Sequence, residues 1–370
     1  MFIGHEFLAF ALAVGLSSQT GATDVQIRSV GLLAAIAAFL PDLDIGYAII
    51  TYALAIASGA PIGWGAFWGV ANSVHRTVTH SLPIGITAAL IAWGSANFIY
   101  HTSHSTSNIK ITTNTGSNLI VYILSLYREQ SLILAGVIGG SVVIGFYITA
   151  GVSASAVAAI FFIIIGLLGG ITCRQTVLTA NQIGAAIAIG TITHPFGDVF
   201  MATPPPLFAP ITSLIGWHIE LTRFTFASHP TLNLLGVLFI EIVFIWLGVS
   251  AFAKVTQRSV RAYVDRRALI AAGYALVMLS FQPPTMADAH RLGFTIVPLA
   301  ISIGVWSGVS TTTKFCDERM SEPIDTTTAG YRRIIAVLTT DRSLRAAVTS
   351  LSALTIAGVA YTTAMLFTIL

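Results

Sequence analysis

Histidines and carboxylates gather in four short segments of an otherwise apolar chain. In chain order the segments are Gly4-His5-Glu6, Pro41-Asp42-Leu43-Asp44, His75-Arg76-Thr77-Val78-Thr79-His80-Ser81 and Thr193-His194-Pro195-Phe196-Gly197-Asp198. Together they hold four histidines, three aspartates and one glutamate. Mixed imidazole and carboxylate ligation suits Zn, Mn or Fe(II) without choosing among them. The set is large enough for one metal ion or for two ions that share the oxygens of a hydrolytic displacement.

The spacing of the polar side chains in the second and third segments indicates the local structure that would bring them together. Pro41 ends an apolar run and is followed by two carboxylates, Asp42 and Asp44, two positions apart. His75 and His80 are five positions apart, which is about 140° around a helix. They therefore converge better from a turn that leads into a helix.

The last segment pairs a histidine with a carboxylate. His194 and Asp198 are four positions apart, on one face of one helical turn. Because proline is tolerated at the first position of a helix, we expect this helix to begin at Pro195.

The composition places these segments in a membrane protein. Of the 370 residues, 55% are hydrophobic and 9% are charged, against roughly 25% charged in an ordinary soluble domain. So few charges exclude a soluble globule and a disordered chain. Eighteen basic residues and a net charge of +3 form no dense basic stripe, so no nucleic-acid partner is expected. The chain is predicted to be a multi-pass protein of the cell membrane.

The apolar runs predict an all-α, polytopic transmembrane helical bundle of about 8–11 membrane helices. Only helices or closed barrels span lipid, and no period-2 alternation appears. The runs lie at about 4–17, 28–41, 45–58, 61–72, 82–100, 132–150, 154–171, 178–193, 232–252, 268–281, 293–309 and 346–370. The two short runs around Gly59-Ala60-Pro61 are expected to form one re-entrant hairpin. Residues 101–118, 195–231 and 310–345 are expected to be loops, the last of them with one surface helix.

Basic residues predict the orientation. Residues 253–267 and 314–345 carry most of the lysines and arginines, so both are expected in the cytoplasm. Counting spans back from them puts the four polar segments at one membrane face.

The order GHE, PDLD, HRTVTHS and HPFGD followed by TPPPLFAP resembles the YdjM-type family of membrane-bound, metal-dependent hydrolases. That family shows an early His, Pro-Asp-x-Asp, HRGxTHS, and His-x-x-x-Asp followed by Thr-Pro. Thr77 stands where the family has glycine, and Ile45 where it has a histidine. The resemblance covers about residues 1–210, which we take as the metal-site domain. Residues 211–370 add further transmembrane helices with basic cytoplasmic loops.

The resemblance implies a role for each motif residue. The implied metal ligands are His5, Asp42, His75, His80, His194 and Asp198. The ion is expected to be zinc, with Mn or Fe as alternatives, in one or two copies. Asp44 is a ligand or a partner of one, and Glu6 or Asp44 is the general base. Arg76 could clamp a phosphate, while Thr79 and Ser81 orient ligands.

The function that fits is a metal-dependent hydrolase acting on a membrane lipid or a small phosphoester. Two alternatives are a transporter or channel whose His and Asp residues line an ion path, and a non-catalytic membrane scaffold. A transporter predicts ionisable residues in the middle of several spans, and Glu241 is the one such residue. Outside the motifs, Asp288 and Arg291 are expected to form a surface pair.

Overall fold

The computed structural model describes residues 3–71, 77–105, 115–200, 205–217, 222–319 and 328–369. Every regular element in these ranges is helical, which confirms the all-α prediction. The α-helices are α1 (Gly4–Ser17), α2 (Asp24–Phe39), α3 (Asp44–Ala57), α4 (Trp64–Ala71), α5 (Leu82–Ser105), α6 (Thr115–Gln175), α7 (Ala180–Asp198), α8 (Ile211–Ile215), α9 (Pro230–Val255), α10 (Tyr274–Met278), α11 (Ala289–Arg319) and α12 (Thr328–Ile369). Four short 3-10 helices accompany them, at Leu40–Leu43, Val260–Tyr263, Arg266–Gly273 and Met286–Asp288.

Six stretches within the described ranges are long and apolar enough to cross a membrane. They are Asp24–Ala57, Leu82–Tyr100, Gln130–Gln175, Pro230–Val255, Met286–Val309 and Asp341–Ile369. Two of them each contain two of the apolar runs marked in the sequence. Gln130–Gln175 changes direction at Gly151, whose φ of 83° interrupts the helical backbone. The polytopic helical bundle is therefore confirmed.

The chain divides into two compact units, Ile3–Phe224 and Thr225–Leu370. The core of the first unit is built largely from alanine side chains on α1, α2, α5, α6 and α7. Such small side chains let helix backbones approach closely, which is how membrane helices gain packing contacts. At Gly190 of α7, an added Cβ would collide with the Ala34 carbonyl oxygen of α2.

Helices α2 and α7 run side by side from one end of the first unit to the other. Each begins with a capping box, Thr23 with Gln26 and Thr179 with Gln182, which satisfies backbone N–H groups of the first turn. The amide of Gln26 also donates to the Val177 carbonyl at 3.4 Å. Because the two helices start together, their last turns lie together at the other end.

The expectation that a helix begins at Pro195 is wrong, because α7 continues through Pro195 to Asp198. A proline inside a helix removes the hydrogen bond to the carbonyl four residues earlier. Here that carbonyl belongs to Thr191, and the helix ends three residues after the proline, so only one bond of the last turn is lost.

Helices α3 and α4 form a helical hairpin, and its re-entrant placement in the membrane stays a prediction. The Tyr52 hydroxyl of α3 accepts a hydrogen bond from the Gly63 backbone N–H at 2.8 Å. The same hydroxyl lies 3.1 Å from the Gly63 carbonyl oxygen. These contacts fix the turn between the two helices.

The second unit packs α9, α11, α12 and the 3-10 helix Arg266–Gly273 around its own apolar core. The run at 268–281, expected as a span, forms only that 3-10 helix and the five-residue α10. At 310–345 we expected a loop with one surface helix. The described part of this stretch is instead helical, because α11 extends to Arg319 and α12 begins at Thr328. Asp288 and Arg291 form the predicted exposed pair, with Oδ1 and Nε 3.5 Å apart.

Candidate metal centre

Four elements of the first unit bring the polar segments together. The first turn of α1 carries His5 and Glu6, and the 3-10 helix Leu40–Leu43 carries Asp42. His80 lies in the turn before α5, and the last turn of α7 carries both His194 and Asp198.

The first group of ligand atoms comes from Asp42, His80, His194 and Asp198, which lie within 4.8 Å of one another. His80 Nε2 lies 3.1 Å from Asp198 Oδ2 and 3.5 Å from Asp42 Oδ1. His194 Nε2 lies 3.7 Å from Asp42 Oδ1 and 3.9 Å from Asp198 Oδ2. Two imidazoles and two carboxylates thus converge on one point.

The second group consists of His5, Glu6 and Asp42, again within 4.8 Å. His5 Nε2 lies 3.3 Å from Glu6 Oε1 and 3.3 Å from Asp42 Oδ2. The ring of His5 stands edge-on to that of His194, with centroids 4.4 Å apart. Asp42 belongs to both groups, so they form one continuous cluster.

The histidines of the cluster are buried, and in the part of the chain that the structure describes several of their nitrogen atoms have no hydrogen-bond partner. His5 is 1% exposed and His194 is 0% exposed. Within the described residues, neither ring nitrogen of His5 or His194 has a hydrogen-bond partner of acceptable geometry, nor does Asp42 Oδ1. Leaving a buried polar atom unsatisfied costs about 1–3 kcal/mol. A cation between these atoms would satisfy them together.

A hydrogen-bond chain behind His80 orients its ring. The Thr79 hydroxyl donates to Asp44 Oδ2 at 2.8 Å, and its oxygen lies 3.0 Å from His80 Nδ1. A hydroxyl has one hydrogen, so with that hydrogen on Asp44 it accepts the Nδ1–H of His80. Nε2 then faces Asp42 and Asp198, which is the orientation that carboxylate-supported metal-binding histidines adopt.

The same neighbours set the protonation of His80. Burial lowers its pKa, but the nearby carboxylates of Asp198 and Asp42 outweigh burial and raise the pKa to about 9. Without a metal ion His80 is therefore protonated at neutral pH, and an ion that binds Nε2 must displace a proton.

The remaining predicted site residues fall in different places. Asp44 lies on the Nδ1 side of His80, 3.8 Å from that nitrogen, and outside both ligand groups. The Ser81 hydroxyl accepts the Ile84 backbone N–H at 3.4 Å and so caps α5. His75 and Arg76 lie outside the described residues.

Two positions that hold the site in shape escaped the sequence reasoning. A Cβ on Gly197 would lie 3.0 Å from the Cβ of His5, so glycine there lets α7 approach α1. The Leu207 carbonyl accepts the Leu82 backbone N–H at 2.7 Å, which ties the residues after the prolines to the start of α5. The sequence did contain a sign of the contact between α7 and α1, because Gly197 stands between the predicted ligands His194 and Asp198.

The YdjM inner membrane protein family model matches residues 1–286. This chain belongs to the YdjM inner membrane protein family. The match covers all four polar segments and extends beyond residue 210, where the recognisable motifs end. Neither the curated proteins nor the solved structures give a match to the chain. As a YdjM-family member with six apolar spans among its described residues, the protein is a multi-pass protein of the cell membrane.

Proposed function

We propose that this protein is an integral membrane metal-dependent hydrolase. One observation carries the proposal: Asp42, His80, His194 and Asp198, from three separate elements, converge with their ligand atoms within 4.8 Å in a buried site. Buried carboxylates and imidazoles at membrane depth are costly and are commonly functional.

The spacing of these atoms fits a metal ion. Ligands about 2.0–2.2 Å from a tetrahedral zinc ion lie roughly 3.4 Å from one another. The four nitrogen–oxygen distances in this group run from 3.1 to 3.9 Å. The donor set also suits Mn or Fe(II), with zinc as our first expectation.

A divalent ion at this position would supply Lewis acidity and lower the pKa of a water molecule that attacks the substrate. The residues of the chain prepare the site for this chemistry. Thr79 and Asp44 hold the ring of His80, and the packing of α1 against α7 keeps bulk water from the histidines. Asp44 has a fully buried side chain, so it acts through His80. Glu6, 14% exposed, is the candidate base that can reach a substrate.

The substrate we propose is a phosphoester or a lipid, supplied from the membrane. The location in a bilayer supports a lipid, and Arg76, four residues before His80 in sequence, supports recognition of a phosphate group. The transporter alternative lacks a comparable observation, because Glu241, buried in α9, belongs to the second unit.

Metal analysis paired with hydrolysis assays tests this function. Purified protein is expected to retain stoichiometric metal and to hydrolyse a member of a phosphodiester, phosphomonoester and lipid-ester panel. His194→Ala should lose both properties, whereas His290→Ala, a matched histidine of the second unit, should keep them. Protein that holds no metal, or that keeps all its metal after His194→Ala, would overturn the proposal.

A further inference from the structure

We infer that the site binds a second metal ion through His5, Glu6 and Asp42, with Asp42 bridging the two ions. The inference rests on the proposed function for the first ion, which Asp42, His80, His194 and Asp198 would hold. It adds the number of ions, the bridging residue and the class of substrate.

The two oxygens of Asp42 face different sets of ligands. Oδ1 lies 3.5 Å from His80 Nε2 and 3.7 Å from His194 Nε2. Oδ2 lies 3.3 Å from His5 Nε2. A carboxylate whose oxygens face opposite sets of imidazoles is placed to donate one oxygen to each of two ions.

His5 is the second observation that points to a ligand. Its side chain is 1% exposed, and within the described residues neither ring nitrogen has a hydrogen-bond partner of acceptable geometry. Nε2 nevertheless lies 3.3 Å from oxygens of both Glu6 and Asp42. Near-equal separations without hydrogen-bond alignment are what ligands show around a shared cation, since each atom then directs its lone pair at the ion. The separations match the roughly 3.4 Å expected between zinc ligands.

Charge favours two ions over one. Glu6, Asp42, Asp44 and Asp198 contribute four carboxylates within or directly behind the cluster, and the side chains of Asp44 and Asp198 are 0% exposed. Buried carboxylates must be neutralised by a cation or a proton. One divalent ion leaves half of this charge to be compensated by protons, whereas two divalent ions balance all of it.

A two-ion site indicates the class of substrate. Paired ions about 3.5–4 Å apart stabilise both the attacking and the leaving oxygen of an in-line displacement. That arrangement is suited to a phosphoester, in which both oxygens are bonded to one phosphorus. In a two-ion site Glu6 would be a ligand, and this role would replace the role of base that it has in the one-ion site. A phosphoester is therefore the substrate class that we place first.

Manganese loading provides the test, because its readout does not depend on activity. Wild-type protein stripped of metal and titrated with Mn²⁺ should bind two ions per chain and give the electron paramagnetic resonance spectrum of an exchange-coupled pair. Glu6→Gln should bind one ion and give an uncoupled spectrum. The control is Asp24→Asn, which also replaces a carboxylate by an amide but lies exposed at the far end of α2. This variant should still bind a coupled pair of ions.

The outcomes separate this inference from the proposed function. One uncoupled ion in the wild type, retained in Glu6→Gln and lost in His194→Ala, overturns the second ion and leaves the hydrolase proposal standing. No bound ion in folded wild-type protein overturns both. Should Glu6→Gln fail to fold, the wild-type spectrum and ion count decide alone.

Discussion

The hydrogen-bond chain from His80 through Thr79 to Asp44 shows how single residues set the chemistry of this site. The sequence motifs predicted that Thr79 orients a ligand. They left three roles open for Asp44: a metal ligand, a partner of a ligand or the general base. The structure puts Asp44 behind the imidazole, because the Thr79 hydroxyl lies between the carboxylate and His80 Nδ1. Which side of a ring a carboxylate occupies depends on backbone geometry, which motif spacing does not encode.

Replacing Thr79 by valine should weaken metal binding. The change keeps the shape of the side chain but removes the hydroxyl that accepts the Nδ1 proton, so His80 loses its fixed orientation. Loss of such a supporting group typically costs 10–100-fold in metal affinity. Competition with a chromophoric chelator measures the effect, and Thr79→Ser is the control that should bind nearly as well as wild type. Equal affinity in Thr79→Val would show that the chain does not orient His80.

Metal binding should strengthen as the pH is raised. The pKa of His80 is raised to about 9, so protons compete with the ion at every pH below that value. Apparent affinity should rise by up to about tenfold per pH unit from this one proton between pH 7 and 9 and level off above. Isothermal titration with Zn²⁺ across this range measures the slope. An affinity that is flat from pH 7 to 9 would contradict a protonated His80.

At the scale of elements, the helices were predictable and their ends were not. Apolar runs located α2, α5 and α7 because membrane helices need long apolar stretches. The pairing of His194 with Asp198 followed from helical periodicity alone. The course of α7 through Pro195 did not, since it depends on packing against α1 and α2 rather than on local preference. Gly190 and Gly197 reveal their roles only once the neighbouring helices are in place.

Gly190→Ala should separate α2 from α7 and destabilise the first unit. The added methyl group collides with the Ala34 carbonyl and with Ala37, and overpacking of this kind costs about 1–3 kcal/mol. Thermal unfolding in detergent, followed together with metal content, should show a lower midpoint and partial metal loss. Gly15→Ala is the control, because nothing lies within 4 Å of its added Cβ. An unchanged midpoint in Gly190→Ala would mean that α2 and α7 are farther apart.

At the scale of the whole molecule, the two compact units have different polar chemistry. The first unit concentrates its buried charges in the metal centre. The second uses polar side chains to fasten the segment after α9: Arg258 pairs with Asp341 at 2.7 Å, and Asp265 accepts the Arg267 N–H and the Ser307 hydroxyl, each at 2.9 Å. The basic residues of this segment predicted a cytoplasmic loop, but charge alone does not encode these contacts.

Asp265→Ala should destabilise the second unit and leave metal content unchanged. The change removes a helix cap worth about 0.5–2 kcal/mol together with the bond to Ser307. The backbone N–H of Arg267 holds the pKa of the Asp265 carboxyl below its ordinary value. The stabilisation that the ionised Asp265 carboxylate gives the folded state is therefore present at any pH above its ordinary pKa. It is lost as the pH falls through the lowered pKa. In acid, the unfolding midpoints of the wild type and of Asp265→Ala should therefore converge. Loss of metal from Asp265→Ala would contradict the prediction, because it would show that the metal centre depends on this contact.

The shared starting level of α2 and α7 also bears on how deep the metal centre would lie in a bilayer. Both helices begin at capping boxes beside the exposed turn Gln19-Thr20-Gly21. From Ala180 to His194 the helix rises about 21 Å at 1.5 Å per residue, and a hydrocarbon core is about 30 Å thick. With that turn at one membrane surface and the helices near the bilayer normal, His194 lies roughly 9 Å short of the opposite surface. A phospholipid could then present its phosphate from within the leaflet, whereas a water-soluble substrate would have to descend to reach the same atoms.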